Sequence, residues 1–501
     1  MTAVLVGIDI GTSSVKASAY DAKGFLLAKS SHPVDTFTPQ PGWAEQEPVQ
    51  WWEAVCAVLR DITRSVSPGW IAAVGLSGQC PGHVLVDAAF QPVGRAIIWS
   101  DRRAVEEAAW LKENISDQQA EEWVGSTYLG DPSCPPARLL WLIRHHPNAV
   151  EKSVAVLQPK DFIALRLTGE VCTDILSAYC LAHPQTQKYA PGYFEKLGFP
   201  VEKMPPSLSA VSPAGTVSDY AARQTGLTAD TPVVIGTIDA YCDNLAGGVL
   251  NPGRAVDVAG TSEIVSLAVP GKVTSADVFS VSLDDSSAFL CNPLQSGGNT
   301  LAWLAGSFYP EFGHSVRYDL LEQEAQTVQP GCGGLVCLPY LNGERAPIWD
   351  SQARGAFLGV SASHSRKDFT RAVYESIAFA IRHTLDVSEG AAGFTAQDFV
   401  ICGGGSRSHF WNQLKADVLQ RQVIPTADSQ TGCLGAAIIA SVKADFYPDL
   451  KTACSNMIQF KNPVDPNPAR KTVYEEGYHV YRVAYPALKP VWGGISAQKR
   501  T

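Results

Sequence analysis

The N-terminal stretch of the chain alternates between apolar and polar side chains in a way that predicts a β-hairpin. Residues 4–10 are almost continuously apolar, and Val15, Ala17 and Ala19 alternate with polar neighbours. This period of two is typical of half-buried strands, with the Gly, Thr and Ser residues between them as the turn. Asp9 occupies a position where the pattern predicts an apolar side chain.

The acid at position 9 lies beside a turn whose backbone N–H groups and hydroxyls suit an anion. A carboxylate in that place would orient a hydrated Mg²⁺ next to a bound phosphate. The alternative is an ordinary hairpin turn with a local Asp hydrogen bond, because short glycine motifs often occur without a ligand.

Other strands of the first half end in polar residues. Residues 25–28 predict a third strand, and residues 71–76 a buried strand that ends at residues 77–79. The apolar residues 96–99 precede residues 100–103, with Asp101 and Arg102. Polar side chains just after strand ends are where α/β proteins contact their ligands.

The hairpin pattern occurs a second time. Residues 257–267 repeat the strand, Gly-Thr-Ser turn and strand of residues 8–18, with Val258 in place of Asp9. The repeat predicts two domains of one plan whose turns face a shared cleft and grip one polyphosphate. Chance recurrence of a common tripeptide is the alternative.

Three further glycine-rich turns follow in the second half, at residues 295–299, 401–406 and 431–437. Glycines between a strand and a helix let the backbone approach a phosphate or a flat base. Neither a Gly-x-x-x-x-Gly-Lys-Ser/Thr loop nor a His-Arg-Asp loop occurs, so a nucleotide site would be of another kind.

An acid at the end of a predicted strand is the candidate general base. Residues 231–239 predict a strand that ends in Asp239, followed by a helix of small residues. A carboxylate there could take a proton from a hydroxyl that attacks phosphorus. The alternatives are that Asp239 caps the helix, or that Asp243, one turn on, is the base.

Composition bounds the class of protein. A chain of 501 residues with 46% hydrophobic and 18% charged residues predicts two globular domains. No long uncharged apolar run and no signal peptide are seen, so a soluble cytoplasmic protein without membrane contact is expected. The net charge of -10 argues against nucleic-acid binding. The 12 cysteines are scattered, which favours buried reduced thiols.

Motifs along nearly the whole chain resemble those of the FGGY family of carbohydrate kinases, most closely its xylulokinase branch. They lie at residues 7–13, 42–46, 76–79, 99–103, 160–163, 167–170, 259–262, 338–347, 353–355, 371–378, 403–406, 411–413 and 432–437. The resemblance implies an α/β fold of two actin-like, ribonuclease-H-like domains with an interdomain cleft. Residues 1–248 would form the sugar-side domain and residues 249–501 the ATP-side domain.

The resemblance also implies transfer of the ATP γ-phosphoryl group, with Mg²⁺, to a hydroxyl of a small sugar or polyol. Matched by position, Asp239 is the catalytic base and a substrate contact, because its interval to residues 260–262 fits the family pattern without a gap. Asp9 organises Mg²⁺. The matched sugar-side residues are Gln79, Asp101 and Arg102, and the matched ATP-side residues are Thr12, Ser13, Gly260, Thr261, Gly298, Gly404, Gly405 and His409.

One departure leaves the sugar open. In xylulokinases, Met-His-Gly usually comes after the glutamine that corresponds to Gln79. This chain has Cys80, Pro81 and Gly82 at those positions, and His83 follows them. His83 either replaces the missing imidazole or is a solvated loop residue. We expect a ketopentose such as xylulose. Kinases of ribulose, gluconate, erythritol or glycerol, and an actin-like or chaperone-like ATPase acting on a protein partner, are the alternatives, and a homodimer stays open.

Overall fold

A computed structural model of the chain describes residues 3–127, 129–273, 275, 277–282, 288–313 and 316–498. Among them, one unit takes in the chain as far as Asp243 together with Gly432–Met457. The other takes in Asn244–Thr431 and the chain from Ile458 onwards. Contacts thus divide the chain near residue 248, but they also assign Gly432–Met457, which follows the second unit in sequence, to the first.

The first unit contains twelve described strands. They are β1 (Val4–Ile10), β2 (Ser14–Asp21), β3 (Leu26–Pro33), β4 (Glu45–Gln46), β5 (Ile71–Gly78), β6 (Val84–Val86), β7 (Ala96–Ile97), β8 (Ala155–Leu157), β9 (Thr173–Asp174), β10 (Ser207–Leu208), β11 (Pro213–Thr216) and β12 (Pro232–Ile238).

The helices that begin in this unit pack partly on its six-stranded sheet and partly in a separate apolar cluster. They are α1 (Pro48–Ser65), α2 (Val105–Asn114), α3 (Asp117–Val124), α4 (Pro135–His145), α5 (Pro147–Lys152), α6 (Pro159–Thr168), α7 (Pro191–Leu197), α8 (Asp219–Thr225) and α9 (Asp239–Ala246). Two later helices, α14 (Thr431–Lys443) and α15 (Leu450–Met457), supply its remaining segment.

The second unit contains eight described strands: β13 (Arg254–Ala259), β14 (Glu263–Val269), β15 (Ser280–Ser282), β16 (Ala288–Pro293), β17 (Val336–Leu338), β18 (Ala356–Leu358), β19 (Asp398–Cys402) and β20 (Val423–Pro425). Its helices are α10 (Gly298–Phe308), α11 (Tyr318–Gln326), α12 (Arg366–Ala392), α13 (His409–Leu419) and α16 (Lys471–Gln498).

The two units are built on the same sheet plan. The first sheet has the order β11-β12-β5-β1-β2-β3, and the second has the order β15-β16-β14-β13-β19-β20. In each, an antiparallel three-stranded meander is followed by two strands parallel to its first strand. The predicted repeat of residues 8–18 at residues 257–267 is therefore confirmed as the first hairpin of each sheet.

Glycines let α14 lie directly on the first sheet. A Cβ atom at Gly7 of β1 would collide with the carbonyl of Cys433, and one at Gly75 of β5 would collide with the carbonyl of Ala436. All seven residues of β1 are buried, which explains its continuous apolar run.

The C-terminal aromatic stripe belongs to the core of the second unit. Tyr474, Tyr478 and Tyr481 of α16 are buried in one apolar cluster with residues of α12. Among the described residues, no helix is both long enough and apolar enough to cross a bilayer.

Candidate active site

Asp9 lies at the centre of the first sheet with its carboxylate held by neighbouring strands. Its side chain faces Lys16 across the hairpin and Ser77 on the parallel strand, since both residues are its register partners. Ser77 Oγ donates to Asp9 Oδ1 at 2.9 Å, and Lys16 Nζ lies 3.7 Å from Oδ2. Asp9 is only 7% exposed. Its charge raises the pKa of Lys16, so that ammonium stays protonated.

The beginning of α14 lies against the same carboxylate. A Cβ atom at Gly432 would lie 2.9 Å from Cγ of Asp9 and 3.1 Å from both of its oxygens. Only a residue without a side chain leaves room for the acid here, and the helix N-terminus places positive partial charge beside it.

Asp239 stands where the sequence predicts, at the junction of β12 and α9. Its Oδ1 accepts a hydrogen bond from the N–H of Ala240 at 2.7 Å. Burial raises the pKa of Asp239 well above its usual range, and the negative charges of Asp9 and Asp243 raise it further. The carboxyl is half-buried, and its role as the general base stays a prediction.

A fully buried lysine supports the strand that carries Asp239. Lys160 Nζ lies 2.5 Å from Asp161 Oδ1 and 2.8 Å from Asp174 Oδ1. Asp174 Oδ2 in turn accepts a hydrogen bond from Thr237 Oγ1 at 2.8 Å, two residues before Asp239. Burial alone would lower the pKa of Lys160, but the two carboxylates raise it, so the ammonium keeps its charge.

Gln79 and Thr12 belong to one hydrogen-bonded group behind the first hairpin turn. Trp99 Nε1 donates to Thr12 Oγ1 at 2.8 Å, and Thr12 Oγ1 lies 3.4 Å from Gln79 Oε1. Gln79 Nε2 donates to Gln46 Oε1 at 2.7 Å. Ser13, next in the turn, has an exposed side chain. The structure thus brings Thr12 and Gln79 together in the first unit.

Asp101 and Arg102 make protein contacts that sequence reasoning did not foresee. Asp101 is fully buried and accepts hydrogen bonds from the N–H of Ala44 at 2.6 Å and from the guanidinium of Arg103. Arg102 is exposed and pairs with Asp131 at 2.6 Å. Asp101 therefore anchors loops in this structure, and direct sugar contact by either residue stays a prediction.

His83 is buried rather than solvated. It is 2% exposed, and burial followed by the charge of Arg138 lowers its pKa well below the usual value. The interpretation of His83 as a solvated loop residue is therefore wrong, and its imidazole is neutral.

In the second unit, three glycine-rich turns meet at the β13–β14 turn. Gly298 N donates to Gly260 O at 3.1 Å, and Asn299 N donates to Thr261 O at 2.8 Å. A Cβ atom at Gly403 would lie 2.8 Å from Ala259 O, where φ is +79°. The structure thus brings Gly260, Thr261, Gly298 and the 403–405 turn together.

Two buried acids hold these turns and were not predicted. Glu344 accepts hydrogen bonds from the N–H of Gln295 and, at 2.6 Å, from Ser296 Oγ. Burial raises its pKa above the usual value. Glu263 follows the β13–β14 turn, and its carboxyl lies 3.3 Å from Lys415 Nζ. In the sequence, Glu344 was indicated only by its position in the motif at residues 338–347.

Lys415 joins α13 to the second hairpin. Its ammonium is 0% exposed and lies 2.6 Å from Asp257 Oδ2. Burial raises the pKa of Glu263 well above its usual range, although the charge of Lys415 lowers it. The second unit therefore mirrors the first in placing a buried lysine between two acids.

His409 begins α13, one residue after Ser408, whose side chain caps the helix by accepting from Trp411 N at 3.0 Å. His409 lines a cavity of about 420 Å³ together with Glu322, Gln326, Arg371, Phe410, Gln413, Leu414 and Arg470.

Known sugar kinases are similar to this chain over nearly its whole length. The xylulose kinase of Staphylococcus epidermidis is 28% identical over 497 residues, covering 97% of each chain. The gluconokinase of Bacillus subtilis is 27% identical over 504 residues, covering 97% of this chain and 95% of that one.

Solved structures of sugar kinases are also similar to this chain over nearly its whole length. Gluconate kinase from Lactobacillus acidophilus superposes with a TM-score of 0.87 at 25% identity, covering 99% of this chain and 100% of that one. Xylulose kinase from Rhodospirillum rubrum superposes with a TM-score of 0.85 at 29% identity, covering 98% and 100%. Their fold supports the predicted α/β architecture with one mixed sheet per domain.

Family profiles match both halves of the chain. Residues 4–246 match the N-terminal domain, and residues 255–444 the C-terminal domain, of the FGGY family of carbohydrate kinases. The chain therefore belongs to the FGGY family of carbohydrate kinases.

Proposed function

We propose that this protein transfers the γ-phosphoryl group of MgATP to a hydroxyl of a neutral ketopentose such as xylulose. The observation that carries the proposal is Asp239, a half-buried acid at the β12–α9 junction whose pKa is raised by burial and by Asp9 and Asp243. In our assignment Asp239 accepts the hydroxyl proton as the oxygen attacks phosphorus.

The donor set around Asp9 fits a magnesium ion. Mg²⁺ keeps several waters and is held by one or two carboxylates together with substrate phosphates. Asp9 offers one buried carboxylate at the N-terminal end of the segment that starts with Gly432. When bound, Mg²⁺ would neutralise charge on the phosphate oxygens.

The nucleotide is assigned to the glycine-rich turns. Backbone N–H groups at Thr12 and Ser13 in the first unit, and at Thr261, Gly404 and Gly405 in the second, are the proposed phosphate contacts. The N–H groups of Gly260 and Gly298 donate within the turns, so these two glycines are proposed to let the nucleotide approach the backbone closely. Turns whose backbone can be approached closely bind phosphate through these groups. We assign the base to the cavity beside His409, because a cavity of about 420 Å³ has room for a flat heterocycle.

Charge favours a neutral acceptor over an aldonate. Three cations near Gln79 and Asp101 are paired with acids: Lys160 with Asp161 and Asp174, Arg103 with Asp101 and Glu45, and Arg102 with Asp131. The guanidinium of Arg138 is fully buried and donates to backbone carbonyls. A substrate carboxylate would have to compete with these acids, whereas sugar hydroxyls need only donors and acceptors. Gluconate is the second candidate, because gluconate kinases are among the similar proteins.

A substrate panel tests the proposal. Purified protein with MgATP is mixed with xylulose, ribulose, gluconate, erythritol and glycerol, and ADP release is measured for each. We expect xylulose to give the highest kcat/KM. A preference for gluconate would replace the proposed acceptor, and ADP release that no sugar stimulates would favour an ATPase acting on a protein partner.

A further inference from the structure

Arg138 of α4 is a buried cation with no carboxylate partner among the ion pairs of the described residues. It is 0% exposed, and its guanidinium donates to three backbone carbonyls. Nη1 donates to Pro81 O at 3.0 Å, and Nη2 donates to Trp99 O at 2.9 Å and to Asp101 O at 3.0 Å.

The three carbonyls belong to two loops that follow strand ends. Pro81 lies in the loop after β5, next to Gln79 and Cys80, whereas Trp99 and Asp101 lie in the loop after β7. These loops carry every residue that the sequence assigns to the sugar side except Asp239. The two segments pair through two backbone hydrogen bonds between His83 and Ile97, and Arg138 adds a second connection at Pro81, Trp99 and Asp101.

The same face of α4 contacts the second loop again. Trp141, one turn after Arg138, packs edge-on against Trp43, with ring centroids 5.5 Å apart. The guanidinium of Arg103 lies 3.7 Å from the centroid of the Trp43 ring. The loop that contains Asp101 is therefore fixed by α4 through both a polar and an aromatic contact.

We propose that Arg138 is a positioning residue for acceptor binding: it sets the spacing of the two loops and thereby the affinity for the sugar. The proposal rests on the proposed function, which places the acceptor beside these loops. A planar guanidinium can reach three carbonyls in fixed directions, whereas the single ammonium of lysine cannot reproduce that fork.

Burial of this charge supports a geometric role. Burial lowers the pKa of Arg138 to about 10, so it remains protonated at neutral pH and keeps all its donors. A cation buried without a counterion is costly, and its hydrogen bonds to carbonyls offset that cost only while both loops hold their positions.

The test compares Arg138→Lys with a control on the same helix, Arg144→Met. Arg144 is exposed and pairs with Glu107, outside the two loops. We measure KM for the best acceptor of the panel, KM for ATP, and kcat. Arg138→Lys is expected to raise the acceptor KM by about 10- to 100-fold and to leave the ATP KM unchanged. Arg144→Met is expected to leave all three values unchanged.

A folded Arg138→Lys protein with a wild-type acceptor KM, or with equal changes in both KM values, would overturn the proposal. If that variant does not fold, hydrogen exchange of backbone amides in the wild-type protein tests the proposal instead. Amides of residues 79–83 and 98–104 should be protected before any sugar is added, and fast exchange there would overturn it. A wild type that phosphorylates no sugar would refute the proposed function instead, and the exchange measurement would still test the loops.

Discussion

The ammonium of Lys16 lies 3.7 Å from Oδ2 of Asp9, its direct partner across the first hairpin. The same carboxylate accepts a hydrogen bond from Ser77 and touches the position of Gly432. Three segments far apart in sequence thus fix one acid at the centre of the first sheet. An acid held by a cation, a hydroxyl and a helix start has little freedom to move, which is what the proposed magnesium ligand requires.

Asp9→Asn should weaken the use of magnesium. The amide keeps the shape of the side chain but removes the negative charge, so the Mg²⁺ concentration that gives half-maximal turnover should rise by about tenfold or more. Titration of Mg²⁺ at saturating ATP measures this value. The control is Asp61→Asn on α1, which removes an exposed acid paired with Arg64. This variant should need the same Mg²⁺ concentration for half-maximal turnover as the wild type. An unchanged Mg²⁺ requirement in Asp9→Asn would remove Asp9 from the metal site.

Gly432→Ala should impair turnover through Asp9. The added methyl group would lie 2.9 Å from Cγ of Asp9, and it must displace the carboxylate or the helix. Gly306→Ala is the control, because Gly306 lies within α10 and has no atom within 4 Å of its Cβ position. That control should be fully active and more stable by about 1 kcal/mol. Steady-state kcat and thermal unfolding measure both effects, and equal activity of the two variants would contradict the account.

The pH profile should show an acid limb that belongs to Asp239. A general base must be ionised, so kcat/KM should rise with pH as Asp239 loses its proton, at a pH above the usual aspartate range because its pKa is raised. Since the charge of Asp243 contributes to that rise, Asp243→Asn should move the limb to lower pH. The pH profile of kcat/KM for the acceptor measures the position of this limb. A limb that moves to higher pH in Asp243→Asn would contradict the assignment of the limb to Asp239.

Lys415→Met should destabilise the second unit. Removing the cation leaves the buried Asp257 without its partner, which costs about 3–5 kcal/mol. Lys461→Met, at an exposed position, should leave the free energy of unfolding unchanged. Urea unfolding of both variants measures the difference. A Lys415→Met protein as stable as the wild type would show that the buried group does not support the turns.

Local patterns were enough to predict the hairpins and the strand–helix junction at Asp239. The alternation around Asp9 and its repeat at residues 257–267 follow from burial of one or both faces of a strand. This pattern can be read from neighbouring residues alone. Lys16 could have been predicted as well, because a two-stranded register places it opposite Asp9.

The buried charge partners could not be predicted in this way. Lys415 and Asp257 are 158 positions apart, and nothing local to either indicates the other. Asp101 follows a strand end, as a ligand contact would, yet its oxygens bind the N–H of Ala44 and the guanidinium of Arg103. Such pairings depend on tertiary packing, which also assigns Gly432–Met457 to the first unit.

The most direct test of the central claim is single-turnover phosphoryl transfer in Asp239→Asn compared with Asp243→Asn. Both variants remove one carboxylate from α9, one helical turn apart, and both should bind ATP like the wild type. Rapid-quench measurement with the preferred acceptor should show transfer slowed by about 10²- to 10⁴-fold in Asp239→Asn and near wild type in Asp243→Asn at neutral pH. Undiminished transfer in Asp239→Asn, or its loss in Asp243→Asn alone, would contradict the assignment of Asp239 as the base.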